Sequence, residues 1–258
     1  MDQTFYKYQG TGNDFVIIDN RNLQFPKENA NLVEFLCDRH FGIGADGLIL
    51  LEEHEEFDFK MIYYNADGNE STMCGNGGRC IVAFAHKLGL FSGSTNFMAV
   101  DGVHYASISK GEVSLQMIDV KEVQLFENYA FTNTGSPHHV EWVENLEDYP
   151  VYIEGKRIRK ELYGKSGSNI NFIEQLNDHT FKVRTYERGV EDETLACGTG
   201  VTAVAIAMHK AQKTSSTIIS LPVKGGNLEV SFEATNNGYK NIFLKGPAKF
   251  VFKGSISI

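Results

Sequence analysis

Cys74-Gly-Asn-Gly-Gly-Arg-Cys-Ile-Val-Ala-Phe-Ala-His-Lys87 can be laid over Cys197-Gly-Thr-Gly-Val-Thr-Ala-Val-Ala-Ile-Ala-Met-His-Lys210, with Cys, Gly, Gly, His and Lys coinciding at an offset of 123 residues. The correspondence continues upstream. Phe59-Lys-Met-Ile-Tyr-Tyr64 answers Phe181-Lys-Val-Arg-Thr-Tyr186 at an offset of 122, and Thr11-Gly-Asn13 answers Thr134-Gly-Ser136 at 123 again. Three segments in the same order at nearly one spacing are the signature of an internal repeat.

Each copy mixes strand and helix patterns. Phe15–Ile18, Gly47–Leu51 and Phe59–Tyr64 are β-rich runs separated by Gly, Asn and Asp clusters. Asn31 with Glu34 three residues on resembles a capping box that opens a short helix through Cys37. Gly75 to Leu88 has helical composition, with Gly89 as the expected C-cap. Strand-like pieces follow at Phe97–Val100, Val103–Ile108 and Glu112–Met117. The second copy predicts strands near Val140, Phe172 and Val183, then a helix from Gly198 to about Lys210. Further strands are predicted near Ile218, Leu228, Ile242 and Phe250. Both Cys-headed helices are apolar nearly all round, which marks them as buried.

We therefore expect an α/β (α+β) fold of two pseudo-symmetric halves, each a mixed β-sheet wrapped around a central buried helix. Residues 1–120 would form the N-terminal half, completed by the last strand at about 249–258. Residues 121–248 would form the C-terminal half.

The composition narrows the function. With 24 basic and 33 acidic residues the net charge is −9, which disfavours a broad nucleic-acid footprint. No apolar run approaches the roughly 18 residues that a membrane helix needs. The opening Met1-Asp-Gln-Thr-Phe5 has neither a basic nor an apolar leader region, so we expect a soluble cytoplasmic protein. Four cysteines without a Cys-x-x-Cys pair do not form a zinc set, and we expect no metal. Cys37 and Cys80 read as small buried hydrophobes.

Cys74 and Cys197 differ, because each stands immediately before a buried helix. Unpaired backbone N–H groups and the positive end of the helix dipole favour thiolate over thiol there. The same groups make an anion site, at Gly75-Asn76 and at Gly198-Thr199. If the halves face each other across a pseudo-two-fold, two helix N-termini converge on one carboxylate, with a thiol on each side of its α-carbon. Inversion of an α-carbon requires that chemistry: a base on one face and an acid on the other. No pyridoxal-binding pattern is present, so no cofactor is expected. Asn13, Asn65 and Asn169 lie in turns or at strand ends, Glu187-Arg188 follow a strand, and His138-His139 follow Pro137.

The runs Gly12-Asn-Asp-Phe15, Asp38-Arg-His-Phe-Gly-Ile-Gly-Ala-Asp46, Tyr64-Asn-Ala-Asp-Gly68, Met73-Cys-Gly-Asn-Gly-Gly-Arg-Cys80, Tyr186-Glu-Arg-Gly189 and Ala196-Cys-Gly-Thr-Gly200 resemble those of the diaminopimelate epimerase family. The resemblance implies interconversion of LL- and meso-2,6-diaminopimelate, in lysine and peptidoglycan precursor synthesis, without pyridoxal phosphate or metal. It implies Cys74 and Cys197 as the acid–base pair, with His138 and Glu187 supporting catalysis. Gly75, Asn76, Gly198 and Thr199 would hold the reacting carboxylate. Asn13, Asn65, Asn169, Glu187 and Arg188 would recognise the small amino-acid substrate. Members commonly form homodimers.

Two positions depart from the family pattern. Ser136 stands where many members carry Asn, and Gly47 where some carry Gln. The alternatives are a proline racemase or hydroxyproline epimerase of the same fold, a dithiol redox protein and a non-catalytic binding module. Proline-type relatives commonly carry His after the first Cys-Gly, where this chain has Asn76.

Overall fold

The computed structural model describes residues 2–258 and divides into two compact units, one of residues 2–115 and 246–258 and the other of residues 116–245. In the first unit the elements are β1 (Asp2–Gly10), β2 (Asn13–Asp19), α1 (Ala30–Cys37), β3 (Gly47–Glu52), β4 (Phe59–Asn65), β5 (Glu70–Ser71), α2 (Gly75–Lys87), β6 (Ser94–Ala99), β7 (Gly102–Ser109) and β8 (Glu112–Gln116). The second contains β9 (Val123–Leu125), β10 (Tyr129–Asn133), β11 (Pro137–Trp142), α3 (Val151–Glu161), β12 (Asn169–Asn177), β13 (Thr180–Glu187) and β14 (Asp192–Thr194). It continues with α4 (Gly198–Lys210), β15 (Ile218–Val223), β16 (Gly226–Thr235) and β17 (Gly238–Pro247). The last strand, β18 (Lys249–Ser257), pairs antiparallel with β1 in the first unit.

The two units repeat one strand plan. In the first, β2 and β3 pair parallel, β3 and β4 antiparallel, and β4 pairs antiparallel with β5 and parallel with β6. In the second, β11 and β12 pair parallel, β12 and β13 antiparallel, and β13 pairs antiparallel with β14 and parallel with β15. The duplicated sequence thus encodes a duplicated ladder, with α2 and α4 at the same point in each.

Each of these helices is the core of its own unit. Helix α2 packs against β1, β2, β3, β4, β7 and β18, and ten of its residues are buried. Helix α4 packs against strands β9 to β13, β15 and β16, and is buried at Gly198 and from Gly200 to Met208. With strands all round, neither helix has a face that must be polar. No helix among the described residues is long and apolar enough to cross a membrane.

Two local expectations need correction. The cap of α1 is Asn29, whose side chain accepts from the Leu32 N–H, and Asn31 lies inside the helix. Helix α3 has no counterpart among the predicted elements. It is strongly charged and buries only Val151, Gly155 and Ile158. Gly155 lets it lie against β13, because a Cβ there would stand 2.4 Å from the Cβ of Tyr186.

Candidate active site

In each unit the candidate residues collect at one end of the sheet. Asn13 opens β2, Gly47 opens β3, and Asn65, which closes β4, lies opposite Gly47. In the second unit Pro137 opens β11, Asn169 opens β12 and Glu187 closes β13. The parallel pair and its antiparallel neighbour bring two strand starts and one strand end together, which is how residues far apart in sequence become neighbours.

Cys74 is the N-cap of α2. Its backbone is extended, its carbonyl accepts from the Gly78 N–H at 2.8 Å, and its Sγ accepts from the Gly77 N–H at 3.2 Å. The sulfur therefore takes the role that a Ser or Asp oxygen usually plays at a cap. A Cβ at Gly77 would stand 3.1 Å from that sulfur and 3.3 Å from Ile49 Cδ1, so the second glycine of the motif makes room for the thiol. Cys197 holds the N-cap position of α4, where its carbonyl accepts from the Val201 N–H at 3.0 Å; its Sγ makes no cap hydrogen bond and lies 3.6 Å from Thr199 Oγ1. A Cβ at Gly200 would stand 3.3 Å from the Cys197 sulfur. Cys37 and Cys80, which cap no helix, are buried, and burial pushes both thiols up, Cys37 to about 12.

Around Cys74 the polar side chains interlock. Asn76 donates to Asn13 Oδ1 at 3.2 Å, and Asn13 donates to Asp46 Oδ2 at 2.6 Å. Arg79, completely buried, donates to Asn76 Oδ1 at 2.9 Å and to Thr11 Oγ1 at 3.2 Å. Asp14 pairs with Lys7 and Arg39 at 2.7 Å each. Burial raises its carboxyl, but the hydrogen bonds and charges of Arg39 and Lys7 outweigh that and bring it down to about 2.

The second unit is organised through three asparagine and serine contacts. Asn169 donates to Ser136 Oγ at 2.8 Å and to the Pro137 carbonyl at 3.3 Å, and its Oδ1 accepts from the Arg188 backbone N–H at 2.9 Å. The Arg188 guanidinium donates to the Ser166 carbonyl at 3.0 Å, and Thr194 donates to Glu187 Oε2 at 3.0 Å. His138 is completely buried. Its Nδ1 faces the Asn171 amide nitrogen at 3.2 Å; an amide nitrogen only donates, so Nδ1 is the acceptor and Nε2 carries the proton. That Nε2–H has no hydrogen-bond partner among the described residues. Burial, with the Arg188 charge adding to it, drives the imidazole down to about 3.

The structure thus joins Asn13 to Asn76 and Asn169 to Arg188, and places Asn65 at the sheet end beside Gly47. It adds Asp46, Arg79, Thr11 and Asn171, to which the sequence assigned no role. An arginine in an otherwise apolar helix was the available signal for Arg79. Gly47 also gains a reason: a Cβ there would stand 2.6 Å from Tyr63 Cε2 and from the Tyr64 carbonyl oxygen. The Tyr63 ring occupies the room that a side chain at position 47 would need.

The family model described as diaminopimelate epimerase matches residues 5–117 and 130–251. A diaminopimelate epimerase of Flavobacterium psychrophilum is 60% identical over 253 residues, covering 97% of this chain and 99% of that protein. One of Chlorobaculum tepidum is 42% identical over 260 residues, covering 96% and 99%. Among solved structures, a phenazine biosynthesis protein of the PhzF family from Bacillus anthracis superposes with a TM-score of 0.80 at 14% identity, covering all of both chains. A hydroxyproline epimerase from Agrobacterium vitis gives 0.71 at 13%, covering 99% of this chain and 92% of that one. At such identities the structural likeness speaks for the fold alone.

Proposed function

Since the chain belongs to the diaminopimelate epimerase family, we propose that it interconverts LL- and meso-2,6-diaminopimelate with Cys74 and Cys197 as the acid–base pair. One observation carries the assignment of the pair: each cysteine caps a buried helix at the same point of a repeated strand plan. A reaction that treats two mirror-related faces of one carbon alike calls for equivalent groups of this kind.

The chemistry balances without any other group. One cysteine, as thiolate, takes the α-proton and becomes a thiol. The electron pair left on carbon is stabilised through the α-carboxylate, held by backbone N–H groups at Gly75-Asn76 and Gly198-Thr199. The other thiol delivers its proton to the opposite face and is left as thiolate. Charge grows on the carboxylate during the first transfer, so donors and helix dipoles aimed at it act most strongly in the transition state. The reverse direction exchanges the two roles.

Substrate recognition falls to Asn13, Asn65, Asn169, Glu187 and Arg188. Glu187 and Arg188 supply opposite charges suited to a distal ammonium and carboxylate, which proline lacks. His138 acts at one remove as a positioning residue. It accepts from Asn171, and Asn171 lies against Gly200, which in turn abuts Cys197.

Incubation in deuterated water with LL-diaminopimelate and, separately, with L-proline tests the assignment. Deuterium is expected at the α-carbon of diaminopimelate. Label entering only proline would assign the chain to the other substrate class.

A further inference from the structure

Arg79 is a buried cation whose hydrogen-bonding partners are all neutral oxygens: Asn76 Oδ1, Thr11 Oγ1, the Gly75 carbonyl at 3.1 Å and the Pro247 carbonyl at 3.5 Å. No carboxylate pairs with it among the described residues, and burial pulls its pKa down. A buried charge without a counterion is costly, and it persists where the surrounding groups are arranged around it. What it arranges here is a pair of amides.

A guanidinium has donors only. The Asn76 amide must therefore turn its oxygen to Arg79 and its nitrogen the other way, where it donates to Asn13 Oδ1. Asn13 is fixed in turn, oxygen toward Asn76 and nitrogen toward Asp46 Oδ2. An ionised carboxylate has acceptors only. With a pure donor at one end and a pure acceptor at the other, turning over either asparagine would set donor against donor or acceptor against acceptor. Asp46 is itself anchored, accepting from Arg39 Nη2 at 2.7 Å and from the Asp14 backbone N–H at 3.2 Å.

We propose that Arg79 and Asp46 are positioning residues that, with the Asn76 amide between them, fix the orientation in which the Asn13 amide meets the amino-acid substrate. The proposal rests on the reading of Asn13 as a substrate-holding residue. The relay uses one amide hydrogen and one oxygen lone pair of Asn13; the second of each carries the recognition.

Steady-state kinetics with LL-diaminopimelate on Asp46→Ala, Asp46→Asn, Arg79→Lys and Asn13→Ala test it, with circular dichroism to confirm folding. Asp46 is substantially exposed, 42% in its side chain, so its variants keep the fold even where an Arg79 substitution does not. Asp46→Ala is expected to raise KM about ten- to hundredfold, the effect of losing one charge-assisted hydrogen bond, with kcat nearly unchanged. Asp46→Asn, whose amide oxygen can still accept from Asn13, should recover part of that loss. A parental KM in Asp46→Ala, or a loss of kcat at constant KM, overturns the proposal. A parental KM in Asn13→Ala would instead remove the reading beneath it, so the two failures are distinguishable.

Discussion

A Cβ built on Gly200 would stand 2.4 Å from Oδ1 of Asn171, so the first turn of α4 is in direct contact with the side chain that also holds His138 and Thr185. Replacing a glycine inside a helix by alanine ordinarily stabilises by about 0.5–1 kcal/mol. Here the sign reverses. The new methyl must displace an oxygen that accepts from Thr185 Oγ1 at 3.0 Å, and it also crowds the Cys197 sulfur at 3.3 Å. Gly200→Ala should destabilise by about 1–3 kcal/mol, the usual range for an overpacked core. Calorimetry would register a melting temperature lower by several degrees, accompanied by reduced turnover. A variant that melts higher than the parent would show that Asn171 can move aside.

Single replacement of either cysteine by serine should cut epimerisation by about 10²–10⁴-fold, the usual worth of a positioned acid or base. A hydroxyl is a far weaker acid than a thiol, yet it fits at the helix cap and leaves the backbone donors in place. Substrate binding, followed by titration calorimetry, should therefore change little in either variant. Parental turnover in Cys74→Ser or in Cys197→Ser would eliminate the two-base mechanism.

The repeat was legible because its most distinctive residues are tied to the helix starts: each cysteine is the N-cap residue, and the second glycine clears space beside its sulfur. Helix α1 was legible as a helix, but its start was misread. Glu34 lies three residues after Asn31, whereas the side chain that caps the helix is that of Asn29. Helix α3 left too short an apolar stripe to read, only Val151 and Ile158 with Gly155 between them being buried. The asparagines of the site could be singled out in their motifs. Their partners could not, because Asp46 and Arg79 meet Asn13 and Asn76 only after a parallel strand pair and a buried helix have formed.

Ser136 and Asn169 should differ in weight. Ser136→Ala removes one of the two acceptors for the Asn169 amide nitrogen and leaves the Pro137 carbonyl at 3.3 Å. A neutral hydrogen bond contributes about 0.5–1.5 kcal/mol, so KM for diaminopimelate should rise by roughly two- to tenfold. Asn169→Ala also releases the Arg188 backbone N–H, and its KM should rise further. A Ser136→Ala effect as large as that of Asn169→Ala would mean that the hydroxyl contacts substrate itself.

The buried His138 makes stability depend on pH in a window set by its own displacement. Its folded-state pKa of about 3 lies below the ordinary histidine value of 6.5, because burial, with Arg188 adding to it, disfavours the imidazolium. The unfolded chain thus binds a proton as pH falls below about 6.5 while the folded chain does not. This contribution is fully present above pH 6.5 and is lost progressively toward pH 3, at up to about 1.4 kcal/mol per pH unit. His209, also lowered by burial, acts in the same direction. Asp14 titrates lower, between 3.8 and about 2, and so does not mask the upper part of the window. Urea midpoints measured at pH 7.5, 6 and 4.5 should fall steadily for the parent. His138→Leu, although less stable at pH 7.5 through loss of the Asn171 contact, should show a shallower decline. Parallel declines in the two proteins would mean that His138 takes up its proton in the folded state over the same range.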